Sequence, residues 1–137
     1  EAYNKGEGWM GYYWGPTAIL GKYDMTKLDE GVDHNAETWI SEINDLEVAA
    51  PGKNRYPAST VETYVGTDML DNFVVMNYLE KRSFPNTLLS QMLAWKDGEQ
   101  AEASEAAEYF LLNNEDVWKN WTSSDARLAI KEELGMM

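Results

Sequence analysis

Residues 6 to 17 read GEGWMGYYWGPT and offer two chemistries at once. Gly6, Gly8 and Gly11 have the G-x-G-x-x-G spacing of a dinucleotide-binding turn, while Trp9, Tyr12, Tyr13 and Trp14 supply aromatic faces. The glycine spacing holds a pyrophosphate only when a strand leads into it and a helix opens from it. Here the order is reversed: residues 1–5 read as the last turn of a helix, and the aromatic run that follows reads as a strand. No basic or capping residue follows where a phosphate would sit. The glycines are read as a turn into that strand.

The aromatic run points elsewhere. The face of a Trp or Tyr ring attracts a cation, and quaternary ammonium groups are favoured guests of aromatic cages. Each contact is worth ~0.5–2 kcal/mol, so a cage needs several rings. On a strand, Tyr12 and Trp14 share one face and Tyr13 takes the other. Beside Gly15-Pro16, at the strand end, Trp14 can reach a cleft. Composition alone favours core packing for these rings.

Other candidates carry less. His34 is the single histidine and lies in a polar loop, so no metal site is expected. Ser59-Thr60 has no evident base, and the acidic pairs Asp29-Glu30 and Glu132-Glu133 read as solvated surface. Trp118 and Trp121, at i and i+3, read as core. No nucleophile–base pair can be assembled, so no enzyme and no cofactor are expected.

The elements that must position these residues divide at Gly66. Before it, residues 9–14, 25–28 and 59–65 read as strands, with short helices at 17–22 and 36–43. After it the chain reads as helical. Asp68 is expected to cap a helix that turns Leu70, Phe73, Val74 and Tyr78 inward and ends at Lys81-Arg82. Further helices are expected over 86–95, 102–112, a short stretch around Val117–Trp121, and from Ser124 to a stop at Gly135. The expected fold class is α/β, with few strands and a helical C-terminal half.

The chain has 137 residues and a net charge of −13, from 24 acidic and 11 basic side chains. That excludes a basic nucleic-acid face and disfavours anionic membranes, while attracting cationic ligands. There are no cysteines, so thiol chemistry is excluded. No apolar run approaches the ~20 residues of a membrane span.

Three blocks, in order, resemble one family. "GEGWMGYYWGPTAILGKYDMTKLDE", "RYPASTVETYVGTDML" and "AAEYFLLNNEDVWKNW" are similar to segments of glycine betaine/choline-type substrate-binding proteins of ABC importers. The resemblance implies the C-terminal part of a two-lobed periplasmic-binding-protein (type II) fold, with residues 1–137 carrying material from both lobes. It implies a periplasmic or extracellular location, a quaternary ammonium ligand such as glycine betaine or choline, and the membrane subunits of the transporter as partners. It makes Trp14 a cage wall, with Tyr13 and Thr17 beside it. Betaine-binding relatives often carry His where this chain has Thr17, which shifts the expectation toward a choline-like cation. The competing reading is a truncated or recombined stand-alone domain with an interaction role and no ligand. Unpaired strand edges at residues 9–14 would also favour a homodimer.

Overall fold

Short polar side chains and left-handed residues decide where the helices of this chain begin and end. The computed structural model describes all 137 residues. Its helices are α1 (Ala18–Lys22), α2 (Ala36–Thr38), α3 (Phe73–Lys81), α4 (Asn86–Glu99), α5 (Ala103–Asn113), α6 (Glu115–Trp118) and α7 (Ser124–Glu133). A π turn, Trp39–Ile43, continues α2, and 3₁₀ turns lie at Tyr3–Lys5 and Thr67–Met69. Thr17, Asn35, Asn72 and Ser123 cap α1, α2, α3 and α7, their side-chain oxygens accepting the N–H groups of Leu20, Thr38, Val75 and Ala126. Glu102 and Glu105 form a reciprocal capping box at the start of α5.

Two helices end in the same motif. After α7, Gly135 turns left-handed at φ 64° and donates to the Glu132 carbonyl, while the Met136 N–H reaches back to Lys131. After α4, Gln100 takes the left-handed place at φ 53°, with its N–H on Asp97 and the Ala101 N–H on Lys96. Gln100 is the one non-glycine residue with positive φ, a conformation that costs a side-chain-bearing residue ~1–2 kcal/mol.

The expected α/β class is not what forms. The structure is helical, with no strand and no sheet, so it is not a two-lobed α/β fold. Residues 9–14, 25–28 and 59–65 have no regular secondary structure. A strand exists only when a neighbour takes up its N–H and C=O groups in a regular ladder, and no such ladder forms at these three segments. Most of their large side chains stay exposed, Val61 at 96% and Met10 at 82%. With no strand at 9–14, the edge that motivated a homodimer is absent.

By its own contacts the chain forms two compact units, Glu1–Met25 with Tyr64–Met137, and Thr26–Thr63. The core of the first is aromatic: Phe110 from α5, Trp118 from α6 and Trp121 just beyond it. Trp118 is 1% exposed, and its indole N–H donates to the Leu111 carbonyl at 2.8 Å. Phe84 closes the cluster, 4.9 Å from Trp121 and 5.4 Å from Phe110. Tyr78, Leu88, Met92 and Ile130 pack around it from α3, α4 and α7. Lys131 of α7 holds Glu115 of α6 at 2.8 Å, and that hydrogen bond keeps the Glu115 carboxyl below its usual value. The α3 face differs from expectation. Asn72 rather than Asp68 caps it, and because α3 packs on the core through Tyr78, Leu70, Phe73 and Val74 lie exposed while Val75, Met76 and Tyr78 are partly covered.

The second unit is held by polar contacts. Arg55 reaches Asp29 at 3.1 Å, Asp33 at 3.3 Å and Glu30 at 3.6 Å. The Asn35 backbone N–H donates to Asn54 Oδ1 at 3.0 Å, and Asn54 Nδ2 donates to the Asn35 carbonyl at 2.8 Å. Trp39 stands edge-on between His34 and Tyr56. The Gly31 N–H and then the Arg55 guanidinium hold the Asp29 carboxyl below the usual carboxylate range.

Two outcomes follow from this architecture. Gln100→Gly relieves the left-handed strain, partly offset by greater unfolded-chain freedom, and is expected to raise stability by about 0.5–1 kcal/mol in urea unfolding. Asp29 has a depressed folded pKa, so its contribution is complete above the unfolded value and fades as pH falls through the folded one. Carboxyl-carbon NMR titrations of the chain and of Arg55→Ala are expected to show the Asp29 midpoint moving upward when Arg55 is removed.

Candidate functional site

The aromatic loop is anchored at its C-terminal end by the contact of α1 with α4. Thr17 works in both directions there. Its hydroxyl oxygen accepts the Leu20 N–H at 3.4 Å, and its own backbone N–H donates to Ser90 Oγ of α4 at 3.2 Å. One turn further on, Gly21 lies against the Ser90 main chain. A Cβ at Gly21 would fall on the Ser90 carbonyl and within 2.9 Å of the Ala94 methyl, so only glycine permits this approach. Beyond α1, Tyr23 packs on Tyr3 with ring centroids 4.7 Å apart, and Lys22 lies over the Tyr23 ring.

Trp14 stands three residues before Thr17, at the outer side of this corner. Its side chain is 72% exposed, and Tyr13 is 45% exposed. Tyr12 meets Trp14 edge-on, with centroids 6.3 Å apart and planes at 79°. The structure thus places Tyr13, Trp14 and Thr17 on one continuous loop and cap, with the Trp14 side chain largely exposed and Thr17 turned to structural duty. An apolar groove of about 420 Å³, bordered by Phe73, Val74, Tyr78, Trp121 and Ala126, does not include Tyr13, Trp14 or Thr17. The glycine run has no strand before it and no helix opening from Gly11, so it lacks the phosphate-binding context. His34 bonds the Arg55 carbonyl through Nδ1 at 2.9 Å, and no cluster of three or more His, Asp or Glu side chains gathers around a metal position.

Sequence reasoning missed Gly21 and Ser90. The available signals were a glycine inside the short helical stretch at 17–22 and a serine within the apolar stripe of 86–95. Neither shows its partner, because the two lie on segments far apart in the chain.

The sequence model of the substrate-binding domain of ABC-type glycine betaine transport systems matches residues 1–113. The chain belongs to this family. The match takes in the Trp14 loop, α1, the whole second unit and α3 to α5. No curated protein gives a significant match. As a member of the substrate-binding family, the chain is a transport component whose task is to bind a small molecule for a membrane transporter. No helix in it is long and apolar enough to cross a membrane.

For the substrate-binding domain itself, the exposure of Trp14 has a direct consequence. Trp14→Ala removes a ring that contributes little burial, so the unliganded melt is expected to change by no more than about 0.5 kcal/mol. Trp118→Ala, in the core, is expected to cost ~3–5 kcal/mol in the same melt.

Proposed function

We propose that this substrate-binding domain takes a quaternary ammonium compound, with the trimethylammonium group received on the open face of Trp14 and Tyr13 beside it. The observation that carries this reading is a large ring left 72% exposed on a corner whose backbone is tied to α4. Tyr12 meets the ring edge-on, with centroids 6.3 Å apart. A soft, weakly hydrated cation gains from the ring quadrupole and loses little hydration. The net charge of −13 raises the local concentration of cations.

Within this class, choline-like cations are favoured over glycine betaine. Betaine carries a carboxylate that needs a cationic or donor-rich partner. Thr17 brings no charge, and its hydroxyl oxygen is engaged with Leu20. The biological setting is uptake of osmoprotectant cations from outside the cytoplasmic membrane, with the transporter's membrane subunits as protein partners.

Calorimetric titration of the chain with choline, glycine betaine and carnitine tests this reading. Choline is expected to bind more tightly than either carboxylate-bearing compound. Trp14→Ala is expected to weaken choline at least tenfold, since one ring contact to a desolvated cation is worth ~2 kcal/mol and each 1.4 kcal/mol is a factor of ten. Equal affinity for choline in the chain and in Trp14→Ala would remove Trp14 from the site.

A further inference from the structure

We propose that Ser90 is the positioning residue of the Trp14 corner, holding α1 at both ends of its single turn and thereby fixing where the Trp14 ring stands. The proposal rests on the reading of Trp14 as a ligand wall, but its geometry can be tested without ligand.

Ser90 is the one polar side chain in the chain that is buried, at 5% exposure. A buried hydroxyl is retained where it satisfies a specific partner. That partner is the Thr17 N–H, 73 positions away in sequence, at 3.2 Å. The Ser90 carbonyl faces Gly21 and occupies the place a Cβ there would need. Thr17 and Gly21 are themselves linked by the Gly21 N–H on the Thr17 carbonyl at 3.3 Å. One residue of α4 therefore touches the first and the last part of the α1 turn.

The hold passes to Trp14 through a short path. Between Thr17 and Trp14 stand only Gly15 and Pro16, and the proline ring fixes its own φ. Leu20 folds back over Gly15, its Cδ1 only 3.3 Å from where a Cβ would stand. The backbone of Leu20 is capped by Thr17, so the same residue ties the corner to the helix. Releasing Thr17 from Ser90 frees the α1 N-terminus, and with it the direction of the Trp14 ring, without removing any atom that would touch a ligand.

The test compares the chain with Ser90→Ala, which deletes the acceptor, and Ser90→Cys, which keeps the size and offers a weaker one. Three quantities are read: exchange of the Thr17 amide hydrogen, the ring-to-ring nuclear Overhauser contact between Tyr12 and Trp14 without ligand, and the choline affinity by calorimetry. Ser90→Ala is expected to speed Thr17 exchange, weaken the Tyr12–Trp14 contact, and reduce choline affinity about five- to tenfold, the loss of one net hydrogen bond. Ser90→Cys is expected to fall between. In the Trp14→Ala background, Ser90→Ala is expected to cause no further loss of affinity. If Ser90→Ala lowers the melting temperature while the ring contact and choline affinity stay as they were, Ser90 is only a packing residue and the proposal fails. If the unaltered chain does not bind choline, the ligand reading fails by itself. The ligand-free ring contact then still decides: its loss in Ser90→Ala upholds the positioning role, and its retention overturns it.

Discussion

A carbonyl of one helix lying where a side chain of another would have to stand is the constraint on which the packing of α1 against α4 depends. Gly21 is permitted to be bare, and α1 therefore settles directly on the main chain of α4 at Ser90. A helix of five residues is far too short to persist in water by propensity. It exists because α4 gives it a surface at backbone distance and an acceptor for its first N–H. The fourteen-residue α4 is the rigid member of this pair, stopped by the left-handed Gln100 and joined through Leu88 and Met92 to the aromatic core. The loop carrying Trp14 inherits its position from that chain of contacts.

The arrangement separates two uses of tryptophan. Trp118 and Trp121 spend their faces on other rings and aliphatic chains, and the single polar atom of Trp118 is bound to a carbonyl. Trp14 keeps most of its face in water. The same side chain is thus buried in one place and exposed in the other, and what divides them is whether a neighbouring helix covers the ring.

Local signals in the sequence were legible; pairings across the chain were not. The helical stretches beyond Gly66 and the stop at Gly135 could be read because caps and left-handed ends act within a few residues. The start of α3 was misplaced because Asp68 and Asn72 are both competent caps, and its buried face was misread because only tertiary packing, through Tyr78, decides which side of the helix meets the core. The strands failed for a different reason. Aromatic and β-branched runs such as 9–14 and 59–65 fit a pleated surface, but only a hydrogen-bonded neighbour makes one. The α/β architecture implied by resemblance fell with them. Trp14 was visible as a residue type, and its membership of the substrate-binding family was visible in three ordered blocks. Ser90 was invisible, since its meaning lies in an amide 73 positions away.

The family match ends at residue 113, yet two of the three rings at the centre of the larger unit, Trp118 and Trp121, come after it. A boundary drawn by family likeness would cut through the hydrophobic centre and leave Phe110 facing water. The recognisable stretch and the cooperative folding unit therefore do not coincide. Trp118 and Trp121, beyond the matched range, are held by packing as tightly as Phe110 within it. Any expression boundary for this protein belongs beyond Met136, which packs against the same cluster.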